Sequence, residues 1–299
     1  MPERTVTPQI RTFFWGLGSA FSGIAGLVLF LFPEKTETLF AWTIARGDTA
    51  NFIGACFLGI SLLSFLSYSV PSWRGVRVAF VGTLTFVTAM TLATLLHLDQ
   101  FHFGSDQPLA LLAAWLWTLV YIAAPIASGV LLSRQLREPG PVPSDTVRPP
   151  STPIVPGLRY LFLAQGVLLS VVGVVLFVAP GTADSLWPWP LTPLPARAIA
   201  SFLLGFGVIL LGIGRQNEAE VLEPACAACW WLAVLAGMAI TRFEHSVDIG
   251  STPGLIFGVV ALSLLLGGVA GELAARRLRV PNGATPPRAP RPRRPPPSG

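Results

Sequence analysis

Gly26-Leu27-Val28-Leu29-Phe30-Leu31-Phe32-Pro33 returns 147 residues later as Gly173-Val174-Val175-Leu176-Phe177-Val178-Ala179-Pro180. At the same offset Leu39-Phe40-Ala41-Trp42 returns as Leu186-Trp187-Pro188-Trp189. At an offset of 146, Gly59 aligns with Gly205 and Gly104-Ser105 with Gly250-Ser251. Self-similarity at a fixed spacing reads as one folding unit used twice, and it organises every other reading of the chain.

Composition supplies the medium. Hydrophobic residues make up 52% of the chain and charged residues 12%, with a mean hydropathy of +0.64. A soluble domain carries roughly 25% charged residues, so the charge needed to wet a whole surface is missing. Eight apolar stretches, near 12–32, 50–70, 78–97, 109–133, 158–179, 197–214, 225–242 and 254–274, are long enough to cross a hydrocarbon core of about 30 Å. Helices are expected, because a lone strand in lipid leaves its backbone groups unpaired. The predicted fold is an all-α membrane protein, with eight transmembrane helices as two parallel tandem four-helix repeats. The repeats are expected at 1–136 and 158–280, with a Pro-rich linker at 137–157 and a Pro/Arg-rich tail at 281–299. The linker and tail read as polyproline-like and disordered. The first run follows Arg4 and Arg11 as a signal peptide would, but its repeat partner, Leu158 to Ala179, is internal, so the run reads as a retained span.

Charge sets an orientation. With the connections numbered alternately, Lys35, Arg46, Arg197 and Arg242 fall on one side. The other 16 of the 20 basic residues fall on the side of the N-terminus. The positive-inside rule predicts that both termini and the linker are cytoplasmic, in a plasma (inner) membrane. An even number of spans per repeat makes the repeats parallel, related by an axis along the membrane normal. Anionic lipids are the expected partners of the basic tail. Nothing suggests nucleic acid as a partner.

Proline and tryptophan mark the element ends. Pro33 and Pro180 close the first span of each repeat, and Pro108 and Pro253 suit a first helical turn after caps at Asp106 and at Ser251 or Thr252. Trp42, Trp187 and Trp189 suit an aromatic belt at the membrane interface, with Leu39 to Ala45 lying flat in it.

No Asp, Glu, Lys, Arg or His occupies the centre of a span, which argues against proton relays and voltage sensing. The candidate site lies at the outer ends of equivalent spans, at His97, Asp99, His102, His245 and Asp248. Each repeat has one Asp and one His three residues apart, in reversed order, a spacing that shares a helix face. Imidazole with carboxylate suits Zn2+ or a similar divalent metal. The plainer alternative is a polar, interfacial helix end. Cys226-Ala227-Ala228-Cys229 has redox spacing, but it opens an apolar span without a thioredoxin-like pattern, which favours packing. An odd cysteine count, with Cys56 as the third, argues against a disulfide framework. Thr85, Thr88, Thr91 and Thr94 step by three, drift around the helix and suit hydroxyls bonded back to their own helix or to neighbours. Gly18, Ser22 and Gly26, and Gly267, Gly268 and Gly271, are small-residue patterns for close helix contact. Glu218, Glu220 and Glu223 read as a solvated acidic loop.

The stretches Leu96-His97-Leu98-Asp99-Gln100-Phe101-His102-Phe103 and Trp187-Pro188-Trp189-Pro190-Leu191-Thr192 resemble those of multi-span membrane proteins of high-GC bacteria that carry no assigned activity. The Arg bias, 19 Arg to one Lys, agrees with such an origin. In layout each half is similar to DoxX-like four-helix membrane units. Neither resemblance supplies a catalytic residue. Three functions compete. The first is a carrier, pore or accessory subunit for a small neutral or lipophilic molecule. The others are a membrane-embedded enzyme or redox accessory using the outer His and Asp residues, and a scaffold acting through the Pro-rich segments.

Overall fold

The computed structural model describes residues 4–137, 152–219 and 222–279, and among them helix is the only regular structure. Eight helices among the described residues are long and apolar enough to cross a membrane: α1 (Pro8–Leu31), α2 (Gly47–Tyr68), α3 (Trp73–Leu96), α4 (Pro108–Arg137), α5 (Pro156–Val178), α6 (Pro193–Gln216), α7 (Glu223–Arg242) and α8 (Thr252–Arg279). The molecule is therefore a multi-pass helical membrane protein. Most helices overrun the apolar stretches read from sequence by a turn or so, because proline starts them in the polar flank. Pro8, Pro156 and Pro193 each occupy a first turn, where the missing N–H would be unpaired anyway.

The caps are partly as expected. Ser251 Oγ accepts the Gly254 N–H at 3.2 Å and starts α8. Before α4 it is Ser105, not Asp106, whose hydroxyl accepts a backbone bond, from Gln107 N–H. Asn217 ends α6 in the left-handed conformation at φ 53°, a conformation that Asn tolerates better than most residues. Its side-chain oxygen accepts from Ile154 N–H.

One feature has no counterpart in the sequence patterns. From Phe14 to Phe21, α1 widens into a π-helix. Gly18 and Gly23, five residues apart, lie against Ser64 and Ser61, three residues apart on α2. A five-residue step is the π-helical hydrogen-bond spacing, and it keeps both glycines on the contact face. Further along, a Cβ on Gly54 would lie 2.6 Å from Phe30 N and 3.0 Å from Gly26 O.

Two kinds of contact build the bundle. α1 packs along α2, and α5 along α6. Across the halves, α3 packs on α6 and α7 on α2, and these contacts exceed those of α2 with α3. In each half the second and third helices are mostly buried, and the first and fourth mostly exposed. The matched positions meet matched partners. Gly59 faces Leu232 and the Ala228 carbonyl, and Gly205 faces Phe86 and the Gly82 carbonyl. Leu232 and Ala228 stand 146 residues after Phe86 and Gly82.

The face bearing the N-terminus is stitched by polar contacts. Trp73 N–H donates to Arg4 O and Val6 N–H to Pro71 O, while Gln135 bonds Thr5 and Thr7. Thr152 to Val155, expected as unpacked linker, docks instead: Ala219 N–H donates to Thr152 O, and Ile154 is buried. Glu218 is not a solvated loop residue, being buried and ion-paired with Arg74 of the other half. The rest of the linker (138–151), Glu220 and the tail (281–299) lie outside the described residues.

The aromatic belt also needs correcting. Trp42, Trp187 and Trp189 are buried. Trp42 packs edge-on to Trp117 with centroids 4.8 Å apart, and Trp187 and Trp189 pack around Phe52 and Phe257. Thr36 Oγ1 bonds both the N–H and the carbonyl of Ile44, and His102 N–H donates to Ala41 O. These bonds fold the 39–45 loop inward as a plug. Exposed aromatics include Trp15, Phe65, Tyr68 and Tyr160 toward the N-terminal face and Phe32 and Trp115 toward the other.

Candidate functional site

The carbonyl of Phe30 at the end of α1, and that of its counterpart Phe177 at the end of α5, have no intrahelical donor, as at any helix end. Asn51 Nδ2 donates to Phe30 O at 2.6 Å, and Arg197 Nε donates to Phe177 O at 3.0 Å. Asn51 and Arg197 are themselves 146 residues apart. Arg242 also reaches Phe30 O, at 2.9 Å.

Arg197 does more. Its guanidinium donates to His97 Nε2 at 2.7 Å. Arginine has no acceptor, so this nitrogen must be unprotonated and the neutral ring carries its proton on Nδ1. Gln100 Nε2 lies 3.1 Å from Nδ1, and with the proton on Nδ1 the amide must be turned over so that its oxygen accepts. Burial, then the Arg197 charge, lower the pKa of His97, with Asp99 opposing. A histidine with a lowered folded-state pKa stabilises the fold above its ordinary value of 6.5 and loses that contribution as pH falls through the folded value. Acidification from pH 7 is expected to lower the melting temperature in detergent, and His97→Asn to flatten that fall. An unchanged pH profile in the variant would assign the effect to another group.

The other residues named from sequence occupy separate settings. Asp99 is exposed. His102 bonds Thr43 Oγ1 at 2.9 Å and Phe40 O at 3.0 Å, pinning the plug. His245 is almost fully exposed beside Glu244. Asp248 accepts from Ser251 N–H. Among the described residues, no three His, Cys, Asp or Glu side chains stand as a group able to hold a metal ion. His97 spends its ring nitrogens on Arg197 of α6 and on Gln100, and His102 spends its own on Thr43 and Phe40 of the plug. Cys56, Cys226 and Cys229 are free and buried, and Cys226 packs on Gly271 of α8. The threonine hydroxyls behave as read. Thr85, Thr88 and Thr91 bond carbonyls one turn back, and Thr94 accepts from Trp117 Nε1.

A cavity of about 100 Å3 lies between α2 of the first half and the helices of the second. Phe52 and Cys56 of α2, Phe202 and Phe206 of α6, Cys229 to Ala236 of α7 and Phe257 of α8 enclose it, with Trp187 at one end. No charged residue lines it. Leu168 of α5 and Ile256 of α8 are both exposed and form its rim, so its mouth faces lipid. At the offset of 146, Leu232, Ala233 and Ala236 stand where the first half has Phe86, Val87 and Met90. There Phe57, Phe86, Trp117 and Tyr121 pack ring on ring. The signal in the sequence is the smaller side chains on α7 at positions 146 residues after those of α3.

The fold and cavity define a class, a multi-pass helical membrane protein with an apolar pocket between its helices. Comparison with models of protein families, with curated proteins and with solved structures found no match.

Proposed function

We propose that this chain is a duplicated eight-span protein of a bacterial inner membrane that binds, and carries or presents, a small neutral or lipophilic molecule. The observation that carries this reading is the uncharged cavity with a lipid-facing mouth. Burial of apolar surface is its only sizeable source of affinity, and a charged cargo would have to enter without a counter-charge.

The duplication is part of the proposal. Four-helix units spanning α1–α4 and α5–α8, parallel and related by a twofold along the membrane normal, account for several matched pairs: Asn51 with Arg197, Phe30 with Phe177, and the two glycine crossings. The similarity to DoxX-like units belongs to the same reading. The 16-to-4 distribution of basic residues supports a cytoplasmic N-terminal face. The Arg-rich tail would then lie against anionic lipids. Ser69→Cys and Gln107→Cys, probed in intact cells with an impermeant thiol reagent, test this. Labelling is expected at 107 and not at 69, and the reverse would invert the protein.

The cavity is tested by mass spectrometry of small molecules that copurify with the full chain. Ala233→Trp and Ala236→Trp fill the space from α7, so each is expected to remove most of a lipophilic compound retained by the parent. Equal retention by parent and both variants would rule out the cavity as the binding site.

A further inference from the structure

We propose that a groove on the outer surface of α3, α4 and α6 is a binding site for one anionic phospholipid. Its phosphate would sit on Arg77 and Arg215 and an acyl chain along the groove. The first part of the groove has a volume of about 570 Å3 and runs between Val78 and Val81 of α3, Leu132 and Leu136 of α4, and Val208 and Leu211 of α6. Arg77, Arg215 and Gln216 head it on the N-terminal face. A second part, of about 390 Å3, shares Val81 and continues past Leu84 and Leu92 to Phe177 and Leu204.

Charge separates these arginines from their neighbours. Arg74, three residues from Arg77, is neutralised by Glu218. Among the described residues Arg77 donates to the neutral Gln216, at 3.1 Å. Neither Arg77 nor Arg215 has a carboxylate partner among the described residues. Two exposed, uncompensated guanidiniums at the head of an apolar channel complement a phosphate above a hydrocarbon chain. The length also fits. From Arg77 to Leu92 the helix rises about 22 Å at about 1.5 Å per residue, more than the roughly 15 Å of one leaflet. The walls ask for no polar partner, because the hydroxyls of Thr85 and Thr88 are bonded to Val81 O and Leu84 O.

The test is native mass spectrometry of the full chain, titrated with phosphatidylglycerol or phosphatidylcholine. The parent is expected to bind one phosphatidylglycerol in preference. Arg77→Gln and Arg215→Gln should each weaken that affinity about fivefold, and the pair about thirtyfold, with phosphatidylcholine little changed. Val81→Trp blocks the channel while keeping both charges, so it should weaken both lipids. It also carries the test if the arginine variants fail to purify. The basic tail is the same in every variant, so these differences report the groove. No preference in the parent, an unaffected double variant, or indifference to Val81→Trp would overturn the proposal. So would displacement by inorganic phosphate alone, which would mark a free-anion site.

Discussion

Gly205→Leu is expected to leave little monodisperse protein in detergent, whereas Gly59→Ala should be near neutral. The two glycines stand 146 residues apart, and their close contacts differ. A Cβ on Gly205 would stand 2.9 Å from Phe86 Cβ and 3.2 Å from the Gly82 carbonyl, so any side chain meets the next helix. Real Cβ atoms rarely come so near, and here glycine is needed for close approach, since its φ is ordinary. A leucine would force α3 off α6, the principal contact between the halves. Overpacking a tight site costs about 1–3 kcal/mol or more, a large share of a net stability of roughly 5–15 kcal/mol. At Gly59 the nearest neighbours are Phe206 at 3.3 Å and Leu232 at 3.4 Å, both side chains able to yield. Size-exclusion profiles after graded heating give the comparison. Normal assembly of Gly205→Leu would show that the halves do not depend on this crossing.

Arg197→Leu comes next in expected size. The change removes two charge-assisted bonds at once, those to Phe177 O and His97 Nε2. Each is worth about 1.5–3 kcal/mol, so a loss of about 3 kcal/mol is expected after discount for partial exposure. Arg197→Asn restores the arrangement already used by Asn51 on Phe30 and should recover part of the loss. Because the Arg197 charge adds to burial in keeping His97 unprotonated, either variant should weaken the pH dependence predicted for His97. Full stability in Arg197→Leu would mean that water satisfies the Phe177 carbonyl.

The number and class of the spans were legible in the sequence because hydrocarbon imposes a length and forbids unpaired backbone, and both constraints act on each segment alone. Gly18, Gly26 and Gly268 were legible as contact residues for a similar reason, since a missing side chain matters only where another helix approaches. The fate of polar and aromatic residues at helix ends was not. Trp42 and Glu218 have interfacial or solvated character by type, yet both are buried, one by a loop that folds inward and the other by an arginine from the other half. His97 and Asp99 looked like ligands in the chain. The structure gives the ring to Arg197, 100 residues away, and leaves the carboxylate exposed.

By itself, then, the sequence determined the membrane as solvent and the eight apolar helices, because local hydropathy needs no partner. Only the tertiary structure decided that α2 meets α7 and α3 meets α6, that the first half is filled by Phe86, Trp117 and Tyr121, and that a cavity opens beside Leu232, Ala233 and Ala236. A void depends on the summed volume of side chains drawn from several helices. No single stretch of chain carries that sum.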